Sequence, residues 1–94
     1  MDFATNHEGQ LTIGGVAASQ LARTFQTPLY VYDVGAICQQ IRAFKRVFEE
    51  ADVSYAVSYA SKAFATIAMY EVAKSEGAHV DVVSGGELYT AQAA

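Results

Sequence analysis

A lysine and an aspartate have the clearest chemical potential in this chain, because each stands beside or within an apolar, strand-like run. Lys62 comes shortly after the alternating stretch at residues 53–60, and Asp81 lies among the valines of residues 80–83. A charged group is costly to bury unless it has a partner or a task. A lysine amine in a partly dry pocket loses some of its preference for the charged form, so it attacks a carbonyl carbon more readily and can form a Schiff base. We therefore consider carbonyl chemistry at Lys62, with Asp81 orienting the amine.

Structural explanations exist for both residues, and the residues by themselves favour those explanations. A lysine after a strand is usually a solvated loop residue, and a carboxylate near it usually belongs to a structural ion pair. The turn at residues 84–86 is similar, since glycines at a helix N-terminus can bind phosphate, whereas Ser84 and Glu87 already form a capping-box pattern. Chemistry at these positions is thus a hypothesis that needs support from the rest of the sequence.

The elements that must position Lys62 and Asp81 alternate between strand and helix. Large residues alternate with small residues over 53–60, which predicts a half-buried strand, and Lys62 lies on the small-residue face if the strand geometry continues. Two further strands are predicted at 29–33 and 80–84, and each of the three strands is followed by a helix. This order is typical of parallel strands with right-handed crossovers, in which Asp81 faces Lys62 if their strands are neighbours.

The helix boundaries follow from caps and from apolar periodicity. Asp33 is expected to cap a helix over 34–50, a second helix covers 64–75, and Gly77 is expected to adopt the left-handed conformation after it. The last helix begins at the Ser84 cap. The residues expected to face the core are Val34, Ile37, Ile41, Phe44, Phe48, Ile67, Ala68, Val72 and, at the border of its stripe, Met69.

The first 28 residues are predicted to form a separate lead-in. Residues 1–10 are polar and are expected to be loose, and Leu11–Ile13 is expected to form a short strand closed by Gly14–Gly15. A helix is predicted over 16–26, and it ends at Thr27–Pro28 because proline disfavours the helical conformation in the residue before it.

Charge and cysteine content narrow the class of protein. The chain has 94 residues, a net charge of −4 and only six Lys and Arg, which makes it a poor partner for nucleic acid or an anionic membrane. No secretory signal is present, and no stretch approaches the roughly 20 apolar residues of a membrane span. Cys38 alone cannot form an intramolecular disulfide, and His7 and His79 do not have metal-ligand spacing. These features favour a cytoplasmic protein with no metal.

Four segments of the sequence give the chain a family resemblance. They are LTIGG (11–15), TPLYVYD (27–33), YASKAF (59–64) and DVVSGGELYTA (81–91). In this order and spacing they resemble the N-terminal part of the diaminopimelate decarboxylase family, pyridoxal-phosphate enzymes of the group IV, alanine-racemase-like barrel class. One departure is that the commonest family form of the third segment is YAVKAN, so that Ser61 and Phe64 here replace a valine and an asparagine.

The resemblance implies an α/β fold with stated boundaries. Residues 29–94 would be the first three β/α units of a pyridoxal-phosphate-binding (β/α)8, TIM-like barrel. Residues 1–28 would be a strand and helix that belong to, or join, a second β domain. The family also implies a homodimer.

The resemblance further implies a reaction and the residues that serve it. Lys62 matches the lysine that holds pyridoxal phosphate as a Schiff base, Asp81 matches a strand residue close to that lysine and the cofactor, and Ala60 matches a small residue under the ring. The implied reaction releases a carboxylate of meso-diaminopimelate as CO₂ and yields L-lysine, the last step of lysine biosynthesis.

Two alternatives stay open beside this interpretation. One is a related decarboxylase of the ornithine or arginine type, and the other is a non-catalytic α/β module that binds a partner. Three β/α units leave unpaired sheet edges, and the family's residues for the cofactor phosphate, the pyridine nitrogen and the substrate carboxylate lie beyond Ala94. We therefore expect the 94 residues alone to be inactive, only marginally stable and prone to associate through those edges.

Overall fold

The structure is a computed structural model that describes residues 4–94, and the chain divides into two compact units. The first unit ends at Ile37 and the second runs from Cys38 to Ala94. In the described part of the chain, no helix is long and apolar enough to cross a membrane.

The first unit contains a small antiparallel sheet in which the strand order follows the sequence. Strands β1 (Ala4–Thr5), β2 (Leu11–Ile13) and β3 (Val16–Ala17) pair in the order β1-β2-β3. The turn between β2 and β3 is Gly14–Gly15, with φ angles of 58° and 81°. A two-residue hairpin of this kind requires positive φ at both positions, which glycine adopts without steric cost.

This sheet corrects two expectations about the lead-in. The segment expected to be loose contains β1, while its residues 1–3 lie outside the described residues. Val16 and Ala17 were expected to open a helix but pair with β2, so that helix α1 covers only Ala18–Phe25. The predicted strand at Leu11–Ile13 is confirmed.

Residues 29–33 do not form the predicted buried strand. No strand ladder includes them in the described part of the chain, and Leu29, Tyr30, Val31 and Tyr32 are all exposed. A strand exists through hydrogen bonds to a neighbouring strand, so an apolar, β-branched run without such a neighbour stays extended but unpaired. The prediction of a strand here is therefore wrong for this structure.

Helix α2 spans Val34–Glu50, as the sequence predicted. The Asp33 carboxylate accepts a hydrogen bond from the Ala36 backbone N–H at 3.1 Å, which confirms the predicted cap. Its predicted apolar face is largely uncovered, however. Ile41 is buried, whereas Val34, Phe44 and Phe48 are exposed. An apolar stripe is buried only where another element covers it, and the described chain covers little of this one.

The second unit is built around one parallel strand pair. Strands β4 (Ser58–Ala60) and β5 (His79–Asp81) pair in parallel, with Ser58 opposite His79 and Ala60 opposite Asp81. Between them the chain passes through a 3₁₀ turn at Ser61–Ala63 and helix α3 (Ile67–Ser75); helix α4 (Gly85–Ala93) follows β5. Both strands are shorter than predicted, yet exposure still alternates along residues 54–60 as the large and small side chains require.

The buried side chains of α3 differ in part from those predicted. Met69 is buried, as predicted, but Tyr70 and Ala73 are buried as well, whereas Ile67 and Ala68 are exposed and Val72 is half-buried. The helix also begins three residues later than predicted because Thr66 caps it, accepting a hydrogen bond from the Met69 N–H at 3.1 Å. The later start does not change the spacing of side chains along the helix, so the error lies in which side of the helix faces the core.

Candidate functional site

The three residues singled out from the sequence lie at the carboxyl end of the parallel pair. Ala60 ends β4, Asp81 ends β5 directly opposite it, and Lys62 follows two residues after Ala60. The prediction that the two strands are parallel neighbours is thus confirmed. All three residues are exposed. In α/β folds this end of the strands is where binding and chemistry are found.

Lys62 lies on a turn and not on a continued strand. The backbone leaves the strand after Ala60 and forms the 3₁₀ turn at Ser61–Ala63, closed by the Phe64 N–H donating to the Ser61 carbonyl at 3.1 Å. The condition for Lys62 to share the small-residue face, that the strand geometry continues, is therefore not met. The direction of the lysine depends instead on how the turn is held.

The turn that carries Lys62 is held at both ends by side-chain hydrogen bonds. At its far end, the Tyr59 hydroxyl donates to the Phe64 carbonyl at 2.7 Å. At its near end, the Ser61 hydroxyl lies 2.7 Å from the Asp81 carbonyl oxygen and 2.9 Å from Glu87 Oε1. Lys62 itself makes no hydrogen bond or ion pair with any of residues 4–94. The structure thus combines a fixed turn with an available amine.

Asp81 contributes its backbone to this arrangement. Its carbonyl accepts from Ser61, and no ion pair within 4.0 Å joins its carboxylate to Lys62 in the described chain. The structural ion pair considered from the sequence is therefore not what brings these two residues together. The parallel register of β4 and β5 does so, and it leaves the Asp81 carboxylate exposed beside the same edge.

Ser61 is the residue that the sequence analysis missed. It is fully buried, and it is the only buried polar residue in the described part of the chain. In the sequence it is notable only as a departure from the family's lysine segment. A signal was present nonetheless: in the alternation of residues 53–60 the odd positions carry the large side chains, of which Tyr55, Val57 and Tyr59 are half-buried, and Ser61 is the next odd position. A hydroxyl at such a position needs a hydrogen-bond partner.

Glu87 is that partner, and it also lies in the first turn of helix α4. Its backbone N–H donates to the Ser84 hydroxyl at 3.1 Å, which confirms Ser84 as the predicted N-cap. Its Oε1 accepts from the Val83 N–H at 3.2 Å and not from the Ser84 N–H, so the reciprocal bond of a full capping box is not formed. The hydrogen bond from Ser61, supported by those from Val83 and Ser84, lowers the pKa of the Glu87 carboxyl below its usual range. A carboxylate therefore already occupies the N-terminus of α4, which supports the capping explanation of residues 84–86 over a phosphate site.

A second polar cluster ties α2 to the end of α3. Arg42 binds the Glu76 carboxylate through two nitrogens at 2.6 and 2.8 Å, and the Lys45 amine donates to the Glu76 carbonyl. The same Arg42 hydrogen bonds lower the pKa of Glu76, while partial burial and then Glu76 raise the pKa of the nearby Cys38 thiol. All of these groups bind one another, so we assign this cluster a structural role. No group of three His, Cys, Asp or Glu residues suited to a metal ion is present in the described chain.

Comparisons with known proteins agree on one family. A profile of the family described as "Pyridoxal-dependent decarboxylase, pyridoxal binding domain" matches residues 34–94. The chain is 55% identical over 86 residues to a diaminopimelate decarboxylase of Bacillus methanolicus, and 54% identical over 89 residues to one of Bacillus subtilis (strain 168). These matches cover 92% and 95% of this chain but only 20% of each relative.

A solved structure shows the same likeness in three dimensions. The crystal structure of diaminopimelate decarboxylase from M. jannaschii in co-complex with L-lysine matches with a TM-score of 0.77 and 41% sequence identity. The match covers 98% of this chain and 22% of the solved chain. The chain thus has the α/β fold of this region of that enzyme, and it spans about a fifth of the length of the proteins it matches.

Proposed function

We infer the function of this chain from its family: the chain belongs to the pyridoxal-dependent decarboxylases, whose pyridoxal-binding domain its residues 34–94 match. We propose that it is the N-terminal part of a diaminopimelate decarboxylase, which converts meso-diaminopimelate to L-lysine and CO₂. The observation that carries the proposal is the Lys62 amine, exposed and without a partner in residues 4–94, on a turn held at both ends beside the carboxyl edge of a parallel pair.

The residues at this edge fit pyridoxal phosphate. When bound, the cofactor supplies an aldehyde that combines with an amine and a ring that accepts electrons as a carboxylate leaves as CO₂. Lys62 would hold the aldehyde carbon, because it offers an amine with no competing hydrogen bond. Ala60 would leave room for a flat ring next to β4, and Asp81 would orient the amine from β5. The phosphate would be held outside this chain, since Ser84 caps α4 and the Glu87 carboxylate beside that cap disfavours a second anion.

The architecture around the site is also part of the proposal. We propose that residues 29–94 form the first three β/α units of a (β/α)8 barrel and that residues 1–28 lead into it from a second, β-rich domain. The parallel pair, the helix that connects its strands and the antiparallel lead-in sheet support this division. In a whole barrel, residues 29–33 would gain a neighbouring strand, which they lack among residues 4–94. The homodimer and the cytoplasmic location stay predictions.

The alternatives considered from the sequence have less support. The relatives named above are diaminopimelate decarboxylases at 54–55% identity, and the matched structure contains L-lysine, the product of that reaction. This favours diaminopimelate over ornithine or arginine as the substrate. A non-catalytic module has no comparable support.

The first test is the intact mass of the native polypeptide that contains these residues. The proposal expects a mass several times 10.1 kDa, and a finished chain near 10.1 kDa would contradict it.

The second test is borohydride reduction of the full-length protein in the presence of pyridoxal phosphate, followed by peptide mass spectrometry. In the reduced protein we expect the cofactor on Lys62. In a separate sample that is not reduced, we expect release of CO₂ from meso-diaminopimelate but not from ornithine or arginine.

Two lysine variants provide the controls. Lys62→Ala should abolish covalent trapping and turnover, whereas Lys74→Ala removes an exposed lysine of α3 and should leave both unchanged. Covalent trapping together with turnover in the Lys62→Ala protein would show that another residue carries the cofactor, and the assignment of Lys62 would be wrong.

A further inference from the structure

Ser61 precedes the proposed cofactor lysine, and the proposed function does not explain why its side chain is buried. Ser61 is fully buried, while Lys62 beside it is exposed. Nothing in carbonyl chemistry at Lys62 requires a hydroxyl at position 61, and the commonest family form of this segment has an apolar valine there. The burial of Ser61 is therefore explained here from the hydrogen bonds that its hydroxyl makes.

The Ser61 hydroxyl lies between two hydrogen-bond acceptors. One hydroxyl hydrogen faces two acceptors, the Asp81 carbonyl at 2.7 Å and Glu87 Oε1 at 2.9 Å. Neither a carbonyl nor an ionised carboxylate can donate in return, so the hydrogen is shared between β5 and α4. A hydrogen bond to an ionised carboxylate is roughly twice as strong as one between neutral groups. Loss of the Glu87 acceptor should therefore destabilise the turn more than loss of the Asp81 acceptor.

Glu87 joins the turn to two further segments. Its Oε1 also accepts from the Val83 N–H that follows β5, and its Oε2 lies 3.2 Å from the Ser84 hydroxyl at the start of α4. Through one carboxylate, the residue before Lys62 is thus linked to the loop after β5 and to the first turn of α4. The other end of the turn is held separately by Tyr59.

We propose that Ser61 is a positioning residue: its hydrogen bond to Glu87 holds the Ser61–Ala63 turn against α4 and so fixes where the Lys62 amine meets the cofactor aldehyde. This inference rests on the proposed function of Lys62. A group that must reach a reacting carbon gains rate from being held in the right place before the reaction, and it loses rate when its support is loosened.

The test measures how fast the full-length apo-protein captures pyridoxal phosphate. Cofactor is added, samples are reduced with borohydride at successive times, and the fraction of modified Lys62 peptide gives a rate constant that does not depend on turnover. We expect Ser61→Ala to capture the cofactor about tenfold more slowly, which corresponds to about 1.4 kcal/mol. Glu87→Gln keeps a carbonyl oxygen that can accept from Ser61 but removes the negative charge, so it should slow capture in the same direction and by less.

A matched variant separates positioning from general loss of stability. Thr66→Ala removes the hydroxyl that caps α3 and should lower thermal stability, but it leaves the hydrogen bonds of Ser61 intact. Its capture rate should stay within about twofold of the parent. In the double variant Ser61→Ala/Glu87→Gln the rate should match that of Ser61→Ala alone, since without the Ser61 hydroxyl the charge of residue 87 no longer acts on the turn.

The outcomes distinguish this inference from the proposed function. If the parent captures no cofactor on Lys62, both fail. If the parent captures it and Ser61→Ala does so at the parent rate, or if Thr66→Ala slows capture as much, only the positioning role of Ser61 is overturned. Should Ser61→Ala fail to fold, Ser61→Cys keeps a side chain of similar size with a weaker donor. Its slower capture would support the inference, and an unchanged rate would overturn it.

Discussion

Gly77 offers a prediction whose size follows directly from the structure. It lies just after α3 with a φ of 70°, and the backbone bonds that close the helix end there: the Gly77 N–H donates to the Lys74 carbonyl at 3.0 Å and the Ala78 N–H to the Ala73 carbonyl at 2.9 Å. An alanine Cβ at position 77 would lie 2.9 Å from the Lys45 amine, closer than real Cβ contacts. Gly77→Ala should therefore lower the free energy of unfolding for two separate reasons.

The first cost is conformational and the second is the displacement of Lys45. A left-handed backbone costs an L-residue about 1–2 kcal/mol relative to glycine. Lys45 is a flexible side chain and can move, but in moving it gives up its hydrogen bond to the Glu76 carbonyl, a net loss of about 1 kcal/mol. We expect Gly77→Ala to lower the free energy of unfolding by about 2–3 kcal/mol, the sum of these two terms.

Urea unfolding of the full-length protein measures this change, and a double-mutant cycle separates the terms. In a Lys45→Ala background the amine is gone, so Gly77→Ala should cost only the conformational term of about 1–2 kcal/mol. Gly9→Ala is a matched control, because Gly9 has a φ of 76° and a Cβ there would meet nothing within 4 Å. An equal cost of Gly77→Ala with and without the Lys45 amine would refute the predicted contact, and no cost at all would refute both terms.

Two further predictions concern other polar groups of the second unit. The Tyr70 hydroxyl is buried and has no hydrogen-bond partner in the described chain. Tyr70→Phe should therefore leave the free energy of unfolding unchanged or raise it by about 1 kcal/mol. A clear decrease of that free energy in the same urea assay would show that the hydroxyl has a partner. The Arg42 hydrogen bonds lower the folded-state pKa of Glu76, so they stabilise the protein above the unfolded-state pKa, and this stabilisation is lost as pH falls through the lowered value. The stability difference between the parent and Arg42→Ala should therefore shrink on acidification from pH 7 to pH 3, whereas a difference that stays constant with pH would contradict the pairing.

The features that the sequence predicted well are those fixed by neighbours in the chain. Helix α2 has its predicted bounds because Asp33 supplies a cap and the apolar spacing continues without a break to Glu50. The Ser84 N-cap and the left-handed Gly77 follow from the same short-range rules. Each of these features depends on side chains and backbone groups within about one turn, so a single sequence contains the information.

The features that failed depend on distant partners or on overlooked turn chemistry. Residues 29–33 have the composition of a strand, but composition does not supply the neighbour that a strand needs, and none is present in the described chain. The core side of α3 depends on what packs against it, which periodicity alone does not say. By contrast, β3 was predictable: Gly14–Gly15 between two apolar residues is a two-residue hairpin signal that was interpreted only as the end of a strand.

The candidate site likewise has some features that the sequence predicted and others that it did not. The parallel pairing of β4 and β5 was indicated by the strand–helix order, but the register was not predicted correctly, since Asp81 lies opposite Ala60 and not opposite Lys62. The role of Ser61 was not predicted, because its partners are 20 and 26 residues away along the chain. The roles of Lys62, Asp81 and Ala60 toward a cofactor stay predictions until the trapping experiment is done.

The helix cap and the lysine turn form one hydrogen-bond network, and this connects a local rule to the proposed site. The Glu87 carboxylate is held at the start of α4 by the Val83 N–H and the Ser84 hydroxyl, and this leaves Oε1 at a fixed place beside Ser61. A hydroxyl at position 61 can use that fixed acceptor, whereas a valine would place an apolar side chain against a carboxylate. The serine at 61 and the cap that follows Asp81 thus belong to one hydrogen-bond network, so a change that releases the Glu87 carboxylate from Val83 and Ser84 should loosen the same turn as a change that removes the Ser61 hydroxyl.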